Sequence, residues 1–313
     1  MDLSDRIARR MKLQHLHVLM TVVQAGSMGK AAQRLNTVQP AVSRSIAELE
    51  HALGVRLLDR RRQGVEPTEY GRALLDCGTA VFDDLRQGMK NIEFLTDPTA
   101  GEVRIGCNPL LGATFVCAVI DRLSQRYPRF AFSVVTARVE ALYRELRDRN
   151  VDLLIARRLG PIVDDRLEFE FLFEDSAFVA AGAHNPWVRR RRIALAELVN
   201  ESWVLPPPEI GTGSLVMEAF RASGLGNPRT TVAAESPQVR MSLLATGRFL
   251  TIFADSVLRF PTRPPGLKVL PVELPIPHVP VGIVVLKNRA LSPSARLFID
   301  HARKLAKPLA RGK

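Results

Sequence analysis

Three residues near the amino terminus restrict this chain more than any other feature. Ala32 is small, Asn36 comes four positions later, and Val42 comes six after that. Two helices that cross steeply over a tight turn need a small residue where their backbones approach. They also need a residue that tolerates the left-handed conformation at the reversal, and an aliphatic side chain to fill the contact. The flanks agree. Leu13, Leu16, Leu19, Met20, Val22 and Val23 recur at helical spacing and predict a helix over 12–25, stopped by Gly26. Ser27 reads as the N-cap of a second helix over 28–35. A third over 39–53 has Val42, Ile46, Leu49 and Leu53 inward and ends at Gly54.

The third helix turns Gln39, Ser43 and Arg44 to its other side, with Pro40 in the first turn, where a missing N–H costs nothing. Its first residues suit entry into a major groove. Gln and Arg can bind base edges bidentately, and Ser43 can bind phosphate or base. The stretch 56–68 reads as two short extended pieces around Gln63-Gly64, a wing whose Arg60, Arg61 and Arg62 suit phosphate contacts. The alternative is a plain helical bundle with a solvated charge run.

Charge is consistent with a polyanion partner without locating it. The chain has 313 residues and a formal net charge of +12. Residues 1–62 hold eleven Lys and Arg against five Asp and Glu, whereas residues 63–100 hold three against seven. Cys77, Cys107 and Cys117 are odd in number and show no paired spacing, so neither a disulfide framework nor a zinc site is expected. Core or semi-buried thiols are the bland reading, and a redox-sensing Cys107 at a strand end is the sharper one. No run is long and apolar enough for a membrane span, and residues 1–10 lack the apolar core of a secretory signal, so a cytoplasmic location is expected. GxSxG, HExxH, P-loop and GxGxxG patterns are absent, and the six histidines lack metal spacing. Neither an enzyme nor a bound cofactor is expected.

The words Ala31-Ala32-Gln33-Arg34-Leu35, Gln39-Pro40-Ala41-Val42-Ser43-Arg44-Ser45-Ile46 and Leu53-Gly54-Val55-Arg56-Leu57-Leu58-Asp59-Arg60 resemble the DNA-binding segment of LysR-type transcriptional regulators. Thr68-Glu69-Tyr70-Gly71 resembles the family's continuation into a long helix. Within the family, the segment is also similar to regulators of a sugar-binding-protein operon and of aromatic-acid catabolism. The resemblance implies that Gln39, Pro40, Ser43 and Arg44 face DNA and that wing arginines such as Arg60 touch its backbone. There are departures. Val38 replaces the usual hydroxyl residue before the Gln-Pro pair, which leaves Thr37 to cap the helix. The chain also begins about ten residues early, with Arg6, Arg9 and Arg10.

From 68 to 95 there is no proline. Leu74, Gly78, Val81, Leu85, Gly88, Ile92 and Leu95 step by four and three, the seam of a helix pairing with another helix, with Leu75, Phe82 and Met89 beside it. The stripe either packs on its own domain or forms a dimer seam. The family resemblance implies the second, with assembly to a tetramer.

Beyond the break at Asp97-Pro98, strand and helix signals alternate, so an α/β sheet with helices on its faces is expected. The expected organisation is a winged helix-turn-helix over 1–67, a linker helix over 68–97 and an effector-binding domain over 98–313. In that domain, lobe I comprises 101–162 and 267–313 and lobe II 163–266, with a Pro-rich return hinge over 260–266. This resembles the family's periplasmic-binding-protein-like effector domain. Ligands in such folds bind between lobes, at strand ends and helix starts. The candidates are Cys107, Asn108, Pro109 and Leu110 after the first strand, and Arg157 as an anion clamp. Lobe II adds Pro206, Thr212, Gly213 and Ser214, Ser236 as a cap, and Phe253. A carboxylate or a polyol effector are both open. The expected partners are operator DNA, the effector, further copies of the chain and RNA polymerase, with no membrane. The competing class is a solute-binding or catalytic α/β protein whose basic amino terminus only oligomerises.

Overall fold

The computed structural model describes residues 11–61, 64–161, 164–260 and 266–310. The chain forms two compact units divided at Gly88. Arg62 and Gln63 of the expected wing turn, the early arginines at 6, 9 and 10, and residues 261–265 of the expected hinge lie outside the described residues.

The first unit starts with α1 (Leu13–Ala25), α2 (Met28–Arg34) and α3 (Gln39–Leu53). Gly26 and Gly54 end α1 and α3 in the left-handed conformation, and Asn36 makes the turn with φ 50°. Ser27 caps α2 by accepting from the Lys30 N–H at 3.2 Å. The core contains Leu19, Val22, Ala31, Ala32, Val42, Ile46 and Leu49. Leu53 departs from expectation. It is 42% exposed, because it falls in the last turn of α3, beyond the reach of α1 and α2. Thr37 does not cap α3 either, since Val38 is the N-cap residue and no side chain bonds the helix start.

Strands β1 (Leu58–Arg61) and β2 (Gly64–Pro67) pair antiparallel, with Arg61 opposite Gly64. Two contacts seat this wing. The Val65 N–H donates to the Gly26 carbonyl at 3.0 Å. The Glu50 carboxylate accepts from the Leu57 and Leu58 N–H groups at 2.7 and 3.2 Å. Helix α4 (Glu69–Thr96) then begins under Thr68, whose hydroxyl donates to the Arg56 carbonyl and accepts from the Gly71 N–H. A Cβ on Gly71 would stand 2.1 Å from the Leu57 carbonyl oxygen, so only glycine fits there.

The expected seam of α4 divides in two. Leu74 and Leu75 pack on the core of the first unit, and Gly78 lies against Met20 and Leu16. That half is therefore occupied by its own domain. Leu85, Met89, Ile92 and Leu95 are 48%, 63%, 66% and 81% exposed.

The second unit holds two mixed five-stranded sheets. In the first, the order is β4 (Arg129–Thr136), β3 (Ala100–Cys107), β5 (Leu153–Arg157), β12 (Val279–Leu286), β6 (Leu167–Asp175). In the second it is β11 (Leu267–Val269), β7 (Ala177–Gly182), β10 (Leu250–Ala254), β8 (Trp203–Leu205), β9 (Thr230–Ala233). Leu153 to Ala156 of central β5 form an unbroken, buried apolar run, as expected for a strand covered on both faces. The expected lobe limits need correction. Residues 167–175 belong to the first sheet and 267–269 to the second, so the chain crosses over at Ser176 and returns after Val269. The reason is that β12 pairs antiparallel with both β5 and β6 and holds β6 in the first sheet. The Pro-rich stretch is therefore not the return crossing.

A helix follows β3 almost at once: α5 (Pro109–Leu111), a π-helical segment (Gly112–Val116) and α6 (Cys117–Arg126). The Asn108 side chain caps its start by accepting from the Leu111 N–H at 2.9 Å. Three further helices matter below: α7 (Val139–Arg147), α8 (Gly211–Ala222) and α9 (Pro237–Ala245). Buried Asp152 fastens the first lobe by accepting from Arg104 (backbone and guanidinium) and from Arg289.

Candidate functional site

The first candidate surface is the start of α3. Val42, Ile46 and Leu49 are buried, so the helix turns its opposite side outward. Thr37, Gln39, Pro40 and Arg44 are exposed and Ser43 is half-buried. Val38, 66% exposed, shares this surface. The spacing of the helix-turn-helix thus brings the expected readers together. The wing backbone carries Arg60 and Arg61 on β1, while Arg62 lies outside the described residues.

The second candidate is a cavity of about 490 Å³ in the effector unit, lined by residues of both sheets. Of the expected residues, Asn108, Pro109, Leu110, Arg157, Pro206, Thr212 and Phe253 line it. Cys107, Gly213, Ser214 and Ser236 do not reach its wall, and each has a packing or capping reason. Cys107 is fully buried in the first lobe's core, and burial pushes its thiol up to about 12. It therefore lacks the thiolate that a redox sensor needs. A Cβ on Gly213 would stand 2.0 Å from the Pro207 carbonyl oxygen, so this glycine admits the backbone beneath α8. The Ser214 hydroxyl donates to the Gly211 carbonyl. Ser236 caps α9 by accepting from the Val239 N–H.

Arg157 lines the cavity, but its charge is taken. Its guanidinium donates to Asp175 at 2.7 and 3.2 Å and to the Ser256 hydroxyl at 3.2 Å. It braces the crossover instead of standing free as an anion clamp.

Sequence reasoning missed most of the charged residues of the wall, and three of them matter most here. Arg138 at the start of α7 donates from Nε to both oxygens of Glu235 at 2.9 and 3.0 Å, an ion pair from one lobe to the other. Each partner shifts the other. Hydrogen bonding to Arg138 holds the Glu235 carboxyl below its ordinary value, and Glu235 raises Arg138. The third is Arg240 on α9. It shares a helix face with buried Leu244 four positions on, and a charged residue at that spacing from a core leucine was the available signal. The rest of the wall is chiefly apolar, including Val139, Ile210, Leu215 and Ile276. Burial keeps the Tyr143 phenol, also in the wall, protonated.

The lobes also exchange apolar side chains. Leu110, next to the first strand, packs with Phe178, Phe249 and Phe253 of the second lobe. Phe260, from the second lobe, packs on Phe115 of the π-helical segment at 5.6 Å between ring centroids. Among the described residues, no group of three or more His, Cys, Asp or Glu could hold a metal ion, and no helix is long and apolar enough to cross a membrane.

Comparison with known proteins matches both units. Residues 13–72 fit the family model of the bacterial regulatory helix-turn-helix protein, lysR family, and residues 96–307 fit that of the LysR substrate binding domain. The transcriptional regulator GbpR of Azospirillum brasilense is 28% identical over 288 residues, covering 92% of this chain and 84% of GbpR. The regulator TdcA of Escherichia coli is 27% identical over 295 residues, covering 93% and 92%. Among solved structures, a full-length OxyR variant from Pseudomonas aeruginosa has a TM-score of 0.68 at 21% identity, covering 97% of this chain and 99% of that one. Full-length CbnR in complex with its target DNA has a TM-score of 0.55 at 21% identity, covering 95% and 100%.

Proposed function

Because this chain belongs to the LysR family of bacterial transcription regulators, we propose that it reads operator DNA with the exposed start of α3 and is switched by a small molecule entering the cleft between its sheets. It is a DNA-binding regulator with an effector-binding domain and works as an oligomer. In the proposed division of labour, Gln39 and Arg44 read base edges, while Thr37, Pro40, Ser43 and the wing arginines Arg60, Arg61 and Arg62 contact the backbone. The observation that carries this is the outward face of α3, which leaves Gln39 and Arg44 exposed over the buried Val42, Ile46 and Leu49. The exposed stripe of Leu85, Ile92 and Leu95 is the proposed seam between copies. The protein acts in the cytoplasm, where its operator lies, and alters transcription through RNA polymerase. It needs no cofactor and catalyses no reaction.

A binding titration against DNA from upstream of its own gene and scrambled DNA of equal length tests the reading. Gln39→Ala or Arg44→Ala is expected to cost about 1–3 kcal/mol of preference for the true site and to leave scrambled binding unchanged. Replacing wing arginines is expected to weaken both and to flatten the salt dependence by about one unit per lost phosphate contact. Full preference in both α3 variants would refute the assignment.

A further inference from the structure

One buried charge at the cleft has no carboxylate counterpart among the described residues. Arg240 is 7% exposed and lines the cavity. Its Nη1 donates to the Ile252 carbonyl at 3.0 Å, and its guanidinium lies 4.7 Å from the centroid of the Phe253 ring. Its Nε is buried without a hydrogen-bond partner, and no ion pair joins it to a carboxylate among the described residues.

The other buried arginines of this unit are treated differently. Arg157 is paired with buried Asp175, and Arg104 and Arg289 share buried Asp152. A guanidinium taken out of water without a partner loses solvation that nothing in the protein replaces. Burial, with a smaller contribution from nearby Arg157, lowers Arg240 to about 10, so it stays charged at neutral pH. Glu140, Arg158 and Glu209 of the wall are exposed, with Arg158 lying over the Phe169 ring, and Glu235 is bound to Arg138. The buried charges at the cavity are therefore two guanidiniums and one carboxylate.

We propose that the effector is a monoanion with an apolar body, a carboxylate in its simplest form, and that Arg240 receives its negative group. This rests on the reading of the cleft as the effector site. One unmatched buried positive charge calls for one negative charge, and a dianion would leave a second charge buried and unmatched. The wall's side chains are chiefly apolar, which suits a hydrocarbon or aromatic body. Asn108, Tyr143, Ser176 and Thr212 are its uncharged polar side chains, and the Asn108 oxygen is spent on the Leu111 N–H. That is too sparse a set for a polyol, whose every hydroxyl needs a partner once buried. The guanidinium, stacked on Phe253 and tied to Ile252, is already oriented, so binding an anion costs little further ordering.

The test uses the full-length protein and matched probes: benzoate and hexanoate, their neutral amides benzamide and hexanamide, and D-galactose. Melting temperatures are recorded at constant ionic strength for the wild type and for R240M. The carboxylates are expected to raise the wild-type melting temperature, while the amides and the sugar do not. In R240M the carboxylate affinity is expected to fall about tenfold or more, and its preference over the amide to vanish. R240M removes a lone buried charge, so without probe it should melt no lower than the wild type. If it does not fold, the carboxylate-to-amide comparison in the wild type still decides. Equal shifts with carboxylate and amide, a shift with D-galactose alone, or no shift with either carboxylate each overturn the proposal. Leu159→Trp, which plugs the cavity rim, separates the two claims. A carboxylate shift that survives it means the probe binds elsewhere, and then the cleft reading itself fails.

Discussion

Glu50 illustrates how one side chain can join two pieces of the proposed DNA-reading surface. It leaves the buried side of α3 and accepts the Leu57 and Leu58 N–H groups where β1 begins. Wing and recognition helix therefore hold a fixed relation through one carboxylate. Hydrogen bonds to charged groups contribute about 1.5–3 kcal/mol, and Glu50→Ala orphans two backbone donors. We expect it to destabilise the first unit by about 2–3 kcal/mol in urea denaturation, with the wing losing amide protection before α1 does. Uniform loss of protection across the unit would contradict this role. Legibility at this scale followed locality. Ser27, Asn36 and Gly26 act on neighbours within four positions, so their roles could be read from spacing. Gly71 could be matched to a family word but not explained, because its reason is a carbonyl on another strand. Arg240 was missed because its environment is assembled from Ile252 and Phe253 of a strand and from a charge on the opposite lobe.

Among elements, α4 shows the limit of periodicity. A stripe at steps of four and three says that a face is apolar, and it does not say what covers it. The first half, around Leu74 and Gly78, is covered by α1, and the second half stands open at Leu85, Ile92 and Leu95. Placing a charge on the open half should break the assembly without harming the fold. Ile92→Asp is expected to leave the monomer's stability within about 0.5 kcal/mol, as for most exposed positions, and to lower the mass found by sedimentation to that of a smaller species. An unchanged mass would move the seam elsewhere. Strands were also found readily and grouped less well. The lobe limits read from the sequence put residues 167–175 and 267–269 in the wrong lobes. Membership in a sheet is decided by hydrogen bonding to β12 and β7, more than a hundred and about ninety residues away respectively.

At the scale of the whole effector unit, the lobes are connected by side chains as well as by crossovers. Leu110 and Phe260 are exchanged between cores, and Arg138 and Glu235 face each other across the cleft. Both members of this ion pair are exposed, so salt screens it and its contribution is modest. Its pH dependence has a definite sign. The folded Glu235 carboxyl lies below the ordinary 4.5, so the pair's stabilisation is present above that value and lost as the pH falls through the lower folded value. Glu235→Gln at neutral pH should therefore expose the cleft to faster hydrogen exchange along α7. The wild type should approach that behaviour only under acid conditions below 4.5. Identical exchange in the variant and the wild type at neutral pH would show that the exchanged apolar side chains hold the lobes alone.

The position of β12 has a bearing on how the protein is made. This strand lies between β5 and β6, yet it is made more than a hundred residues after either of them. A growing chain completes its helix-turn-helix unit and linker helix by residue 96 and the second sheet after Val269, while the first sheet still lacks the strand that joins β5 to β6. Synthesis proceeds at about 5–20 residues per second, so each nascent molecule spends roughly ten seconds or more as a finished reader joined to an unfinished sensor. A message cut short before residue 279 would leave that condition permanent. Its product could occupy the operator and answer to no metabolite.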